Sequence, residues 1–135
     1  MRTESFAQKL CVSSKGNVDC IKNAQLEEGQ KGLLFSLSNH KVLYANGIYD
    51  KVYPASITKI MTAMLALQSG KLNDTVTITQ DNVTLEDGSQ VCGFVAGDQV
   101  TLDQLLHCLL VYSGNGAASA IAEYVGGSTE NFVQM

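Results

Sequence analysis

The apolar residues Ile57, Ile60, Met61, Met64 and Leu65 recur at i, i+3, i+4, i+7 and i+8. That period predicts a helix over residues 56–69, with those five on its buried face and Gly70 ending it. Leu102, Leu105, Leu106, Leu109 and Leu110 form a second stripe of the same kind, and Thr101 with Gln104 supplies a capping box ahead of it. The second pattern runs into Tyr112 and stops at Ser113-Gly114-Asn115-Gly116. A third helical pattern carries Ala117, Ala118, Ala120, Ile121 and Val125 and ends at Gly126-Gly127. Ser128 is a suitable N-cap for a fourth helix that begins just before the chain ends at Met135.

Period-2 and short apolar runs predict strands. Gly32–Leu37 and Lys41–Ala45, separated by Ser38-Asn39-His40, read as a β-hairpin with His40 as a solvated turn residue. Residues 75–79 alternate as a short strand, and Val91–Val95 reads as an extended segment after a loop at residues 86–90. Residues 1–30 are polar and weakly patterned, an irregular arm before the patterned part at 31–135. Two strands alone make a marginal sheet. The hairpin is therefore expected to need strands from later polypeptide or from another chain.

Composition narrows the class. Of 135 residues 45% are hydrophobic and 16% charged, which favours a packed domain over disorder. Net charge is −4, with no basic stripe, so nucleic acid is excluded as a partner. No apolar run approaches the roughly 20 residues of a membrane span, and the first residues lack the apolar stretch of a signal peptide. Cys11, Cys20, Cys92 and Cys108 form no Cys-x-x-Cys pair, so neither a metal site nor a cofactor is expected. Cys11 and Cys20 bracket a loop-like stretch, as either a local disulfide or two thiols. Cys108 reads as a small buried hydrophobe. His107 reads as a partly exposed helical residue.

The candidate chemistry lies in Ser56 and Lys59, one helical turn apart. A serine hydroxyl becomes a nucleophile when a neighbouring base takes its proton. A lysine can do so once unprotonated, which burial or a nearby cation favours. Ser56 at a helix start also offers backbone N–H groups to a developing oxyanion. Taken alone, the Ser-x-x-Lys spacing equally suits a serine cap beside a solvated lysine, and Ser-Gly-Asn is ordinary turn material. The two together, with Pro54-Ala55 before one and a helix feeding the other, point to a site.

In wording and order, Pro54-Ala55-Ser56-Ile57-Thr58-Lys59-Ile60-Met61-Thr62-Ala63 resembles the active-serine segment of the low-molecular-mass penicillin-binding proteins, the serine D-alanyl-D-alanine carboxypeptidases. The resemblance continues through Gly88-Ser89, Val95-Ala96-Gly97-Asp98, Leu109–Asn115 and Ala122–Gly127. It implies an α/β (α+β) fold of the β-lactamase/transpeptidase-like kind: a helical cluster plus part of an antiparallel sheet, incomplete within these residues. It also implies that residues 31–135 are the N-terminal portion of a catalytic domain.

By the same resemblance, Ser56 is the acylated nucleophile, Lys59 its general base and Ser113 a proton relay to the leaving group. Asn115 binds the substrate amide and helps hold Lys59. The implied substrate is a peptidoglycan stem peptide ending in D-Ala-D-Ala, with β-lactams acylating the same serine. The implied location is extracytoplasmic: secreted, periplasmic or cell-surface, with the full-length protein membrane-attached. The family's Asp after Ser-Gly-Asn is replaced by Gly116, and its Lys-Thr-Gly motif does not occur in the 135 residues. Losing one oxyanion donor costs on the order of 10²–10³ in rate, so little carboxypeptidase activity is expected of these residues by themselves. Association with a C-terminal fragment, or self-association through open sheet edges, is expected too. The alternatives are a β-lactamase-type hydrolase, which shares the Ser-x-x-Lys logic, and a non-catalytic cell-wall or penicillin-binding module.

Overall fold

Four leucines of one helix anchor the larger part of the molecule. The computed structural model describes residues 18–19, 26–38 and 41–135, and the chain divides after Tyr53 into two compact units. In the second, Pro54–Met135, Leu102, Leu105, Leu106 and Leu109 of helix α3 (Leu102–Val111) are buried. Each contributes roughly 1.5–3 kcal/mol by leaving water. They join Ala117, Ala120, Ile121 and Ala122 of α4 (Asn115–Gly126), Ala63 and Ala66 of α1 (Thr58–Gln68), Val76, Ile78 and Phe132 in one core.

Local chemistry sets the helix limits. The Thr101 hydroxyl accepts the N–H of Gln104 at 3.1 Å, and the Gln104 side chain accepts the N–H of Thr101 at 2.8 Å. This is the capping box expected from the sequence. Helix α4 ends on Gly127 in the left-handed region, and Ser128 caps α5 (Thr129–Val133) through the N–H of Asn131.

Helix α1 departs from expectation. It is preceded by a 3₁₀ turn, Ala55–Ile57, and its buried side is Ala63 and Ala66. Ile57, Ile60, Met61 and Met64 are instead between 43% and 69% exposed, and Leu65 is half-buried. Leu110 is likewise exposed. The physical reason is close approach: α1 packs against both α3 and α4, and only small residues fit where three helices meet. Apolar periodicity located the helix, but the face it packs within this unit is the alanine side.

A two-stranded antiparallel sheet edges this unit. Thr75–Thr77 (β4) pairs with Gln99–Thr101 (β5), Val76 opposite Val100. The stretch Val91–Val95, expected to be extended, joins neither strand, and Val91 and Val95 are exposed. Asp98 explains the shift: its carboxylate accepts the Val95 N–H at 3.0 Å and its N–H reaches the Val95 carbonyl at 3.1 Å, so the chain turns before it extends. A short helix α2 (Gln80–Val83), not foreseen from periodicity, follows β4 under a Thr79–Asn82 capping box.

In the first unit the hairpin is present as β2 (Gly32–Ser36) and β3 (Lys41–Asn46), with a register shift between Leu34 and Phe35. A third strand comes from earlier in the chain: β1 (Val18–Asp19) pairs with β3, giving the order β1-β3-β2. Two residues held by backbone bonds leave no hydrophobic period to detect, which is why the segment reads as an arm. His40 and the Cys11–Cys20 pair lie outside the described residues. Among the described residues no helix is long and apolar enough to cross a membrane.

Tyr124 ties α4 to the start of β4, its hydroxyl donating to the Asp74 carboxylate at 2.6 Å. That hydrogen bond, then desolvation and the Asp74 charge, raise the phenol above its ordinary value. A raised folded value means that the contribution is fully present below the unfolded value of about 10 and is lost as pH rises through the folded one. In a spectrophotometric titration Tyr124 should ionise above the ordinary tyrosine value of about 10, and Tyr124→Phe should remove that late step. An unchanged titration in the variant would refute the assignment.

Candidate active site

The 3₁₀ turn before α1 and the connection between α3 and α4 bring four side chains to one place in the second unit. Ser56 lies exposed in the turn, and Lys59 lies half-buried in the first turn of α1. Ser113 sits between α3 and α4, and Asn115 is the first residue of α4. The Lys59 Nζ donates to Asn115 Oδ1 at 2.7 Å, to Ser113 Oγ at 3.1 Å and to Ser56 Oγ at 3.3 Å. Ser113 Oγ donates in turn to Ser56 Oγ at 3.0 Å. All four site residues singled out from sequence therefore meet, the two serines from 57 positions apart in the chain.

Backbone strain accompanies both serines. Ala55 (φ 48°) and Ser113 (φ 56°) are the non-glycine residues in the left-handed region among those described. Such conformations cost about 1–3 kcal/mol each and persist where the surroundings over-determine them. Ala55 turns the chain into the 3₁₀ segment just ahead of Ser56, and Ser113 reverses it between two helices. Beside the serines an open depression of about 320 Å³ is walled by Ile57, Ile60, Leu109 and Leu110. Ser56, Lys59 and Ser113 line the same depression, so the polar cluster opens beside apolar surface.

Three supporting residues were not anticipated. Asn82 is buried, 2% exposed, and its side chain accepts the Thr79 N–H at 2.9 Å while donating to Ser119 Oγ of α4 at 3.2 Å. The Thr79–Asn82 spacing was a legible cap signal, but its reach to Ser119 was not. The Gln90 carbonyl accepts the Asn115 N–H at 2.9 Å, holding the loop from outside. Cys92 lies against Gly114, where a Cβ would overlap its sulfur. Nothing local in the sequence marks either contact. His107 bonds only within its own helix, its ring nitrogen 2.9 Å from the Asp103 carbonyl. No group of three or more His, Cys, Asp or Glu able to hold a metal occurs among the described residues.

Comparison with known proteins bears on this arrangement. A family model described as D-alanyl-D-alanine carboxypeptidase matches residues 20–135. The D-alanyl-D-alanine carboxypeptidase DacF of Bacillus subtilis is 34% identical over 111 residues, 79% of this chain and 28% of the relative. DacC of Escherichia coli is 39% identical over 111 residues, 75% of this chain and 28% of the relative. Among solved structures, the carboxypeptidase DacD of Francisella tularensis superposes with a TM-score of 0.72 at 27% identity, over 85% of this chain and 29% of its own. Penicillin binding protein 6B of Escherichia coli gives 0.71 at 29% identity, over 87% and 41%. The chain thus spans a little over a quarter of the length of these curated relatives.

Gly116 has a structural reason. A Cβ there would collide with the backbone carbonyl oxygen of Asn82, which cannot swing aside as a side-chain tip can. The aspartate expected at this position from the resemblance does not fit this backbone. Gly116→Asp should lose about 1–3 kcal/mol of stability in urea unfolding, the usual cost of overpacking. A variant as stable as the parent would show that the Asn82 segment yields.

Proposed function

This chain belongs to the D-alanyl-D-alanine carboxypeptidase family, and from that premise we propose that it carries the nucleophile half of a serine D-Ala-D-Ala carboxypeptidase site. The observation that supports this is the Lys59 Nζ within hydrogen-bond reach of Ser56, Ser113 and Asn115 together. In this reading residues 31–135 are the N-terminal portion of a transpeptidase-like catalytic domain. The full-length protein acts outside the cytoplasm, on peptidoglycan stem peptides ending in D-Ala-D-Ala. β-Lactams enter as mimics of that dipeptide.

Ser56 Oγ attacks the carbonyl carbon of the penultimate D-alanine, and Lys59, unprotonated, takes the hydroxyl proton. The backbone N–H of Ser56 faces the developing oxyanion. As the tetrahedral intermediate collapses the C–N bond breaks, and a proton passes from Lys59 through Ser113 to the leaving amine of D-alanine. Water then cleaves the Ser56 ester, with Lys59 again as base. Asn115 uses Oδ1 to fix the lysine, which leaves its amide nitrogen as a donor to the substrate backbone. The 3.0 Å contact between the two serine hydroxyls supports the relay through Ser113.

The same reading assigns the exposed apolar side of α1, with Ile60, Met61 and Met64, to burial against further polypeptide of the catalytic domain. An open surface of this kind otherwise favours association.

Intact mass after incubation of the intact protein with benzylpenicillin tests the proposal. One drug molecule should add per chain. Ser56→Ala should abolish the adduct, a loss of at least about 10³-fold in acylation rate. Lys59→Ala should slow acylation by about 10²–10⁴-fold, the range for removal of a general base. An adduct that persists in Ser56→Ala would overturn the assignment of the nucleophile, and full-rate acylation of Lys59→Ala that of the base.

A further inference from the structure

Cys92 takes no part in the proposed chemistry, yet it rests on the loop that carries half of it. Its thiol donates to the Cys108 carbonyl oxygen at 3.7 Å. The same carbonyl accepts the N–H of Gly114 at 3.1 Å and that of Tyr112 at 3.2 Å. Two residues before Cys92, the Gln90 carbonyl holds the N–H of Asn115. The Cys92 sulfur fills the space a Cβ on Gly114 would need. Sulfur, α3 terminus and Ser113-Gly114-Asn115 turn are thus in mutual contact.

Both cysteines are half-buried and reduced, and the 3.7 Å contact sets the Cys92 sulfur directly against the Cys108 residue. Burial first, then the hydrogen bond to Cys108 and its charge, push the Cys92 thiol up to about 11. At neutral pH Cys92 is therefore held as the thiol and protected from casual attack, because thiolate is the reactive form.

We propose that Cys92 and Cys108 are a disulfide-forming pair, and that closing the bond clamps the Ser113-Gly114-Asn115 loop at Gly114. The oxidant is a small-molecule disulfide or the oxidised form of a thiol–disulfide oxidoreductase. One cysteine, as thiolate, attacks an oxidant sulfur, breaking the oxidant's S–S bond and leaving a mixed disulfide. The other thiolate then attacks the protein sulfur of that mixed disulfide and expels the second oxidant thiol. Two S–H bonds become one S–S bond, and the two electrons and two protons reside on the reduced oxidant. Closure of the ring from 92 to 108 restricts the unfolded chain and so stabilises the folded one. It also ties the segment that holds Asn115 directly to the helix that delivers Ser113.

Treatment of the purified protein with excess oxidised glutathione at mildly alkaline pH, quenching with N-ethylmaleimide and peptide mapping test this. The expected product is a Cys92–Cys108 linked peptide lighter by two hydrogens, with a thermal midpoint several degrees above that of the dithiothreitol-treated protein. Cys92→Ser should show neither change, and Cys108→Ala serves as the unlinked control should Cys92→Ser not fold. Both residues found alkylated after oxidation of the folded protein would overturn the proposal. Linkage of either to Cys11 or Cys20, or a linked protein with no rise in midpoint, would overturn it equally.

Discussion

The Lys59 side chain is held by three oxygen acceptors drawn from two segments of chain more than fifty residues apart, and the remainder of the site is arranged around that grip. Ser56 lies one turn before the lysine, so their proximity is local. Ser113 and Asn115 arrive only because α3 and α4 pack against α1. A half-buried amine surrounded by neutral oxygens can either donate to them or, once unprotonated, accept from Ser56. That ambivalence is what a proton-transferring lysine needs. Asn115 is well suited to the fixed partner, since its carbonyl oxygen takes the shortest of the three contacts and brings no charge.

Close helix approach makes the grip geometrically accessible, and small residues make the approach. Ala63 and Ala66 line the inner side of α1, Ala117 and Ala120 that of α4, and all four are buried. Gly114 and Gly116 let the turn between α3 and α4 press against Cys92 and the Asn82 carbonyl. The large aliphatics of α3 supply most of the apolar burial, while the alanines and glycines set distances. Strain at Ala55 and Ser113 is tolerated on this scaffold because the flanking segments are anchored: one by α1, the other by two helices and the Gln90 carbonyl.

Much of the fold was legible for short-range reasons. The Thr101–Gln104 box, the glycine stop at Gly127 and the Ser128 cap depend on residues within four positions of each other, and all occur where the pattern placed them. The leucine stripe of α3 named its buried face correctly except at Leu110. Helix α1 shows the limit of the same reasoning. Its strongest apolar stripe faces outward here, and its buried face is the pair of alanines that a hydrophobicity count ranks lower. Periodicity says which residues prefer to leave water; it does not say which neighbour is close enough to take them. The partner of β4 was missed for a related reason, because the Asp98 side chain bends the chain just before Gln99 and delays the strand.

By itself the sequence determined the helices, their caps, the local Ser56–Lys59 pairing and the family resemblance, all of which rest on short-range spacing or on ordered motifs. Only the tertiary structure decided that Ser113 and Asn115 close on the lysine, that Gly116 has no room for a side chain, and that Cys92 lies under the turn facing Cys108. Those relations depend on how near one backbone comes to another across tens of residues. Such distances are set by packing of whole elements, which no local pattern encodes.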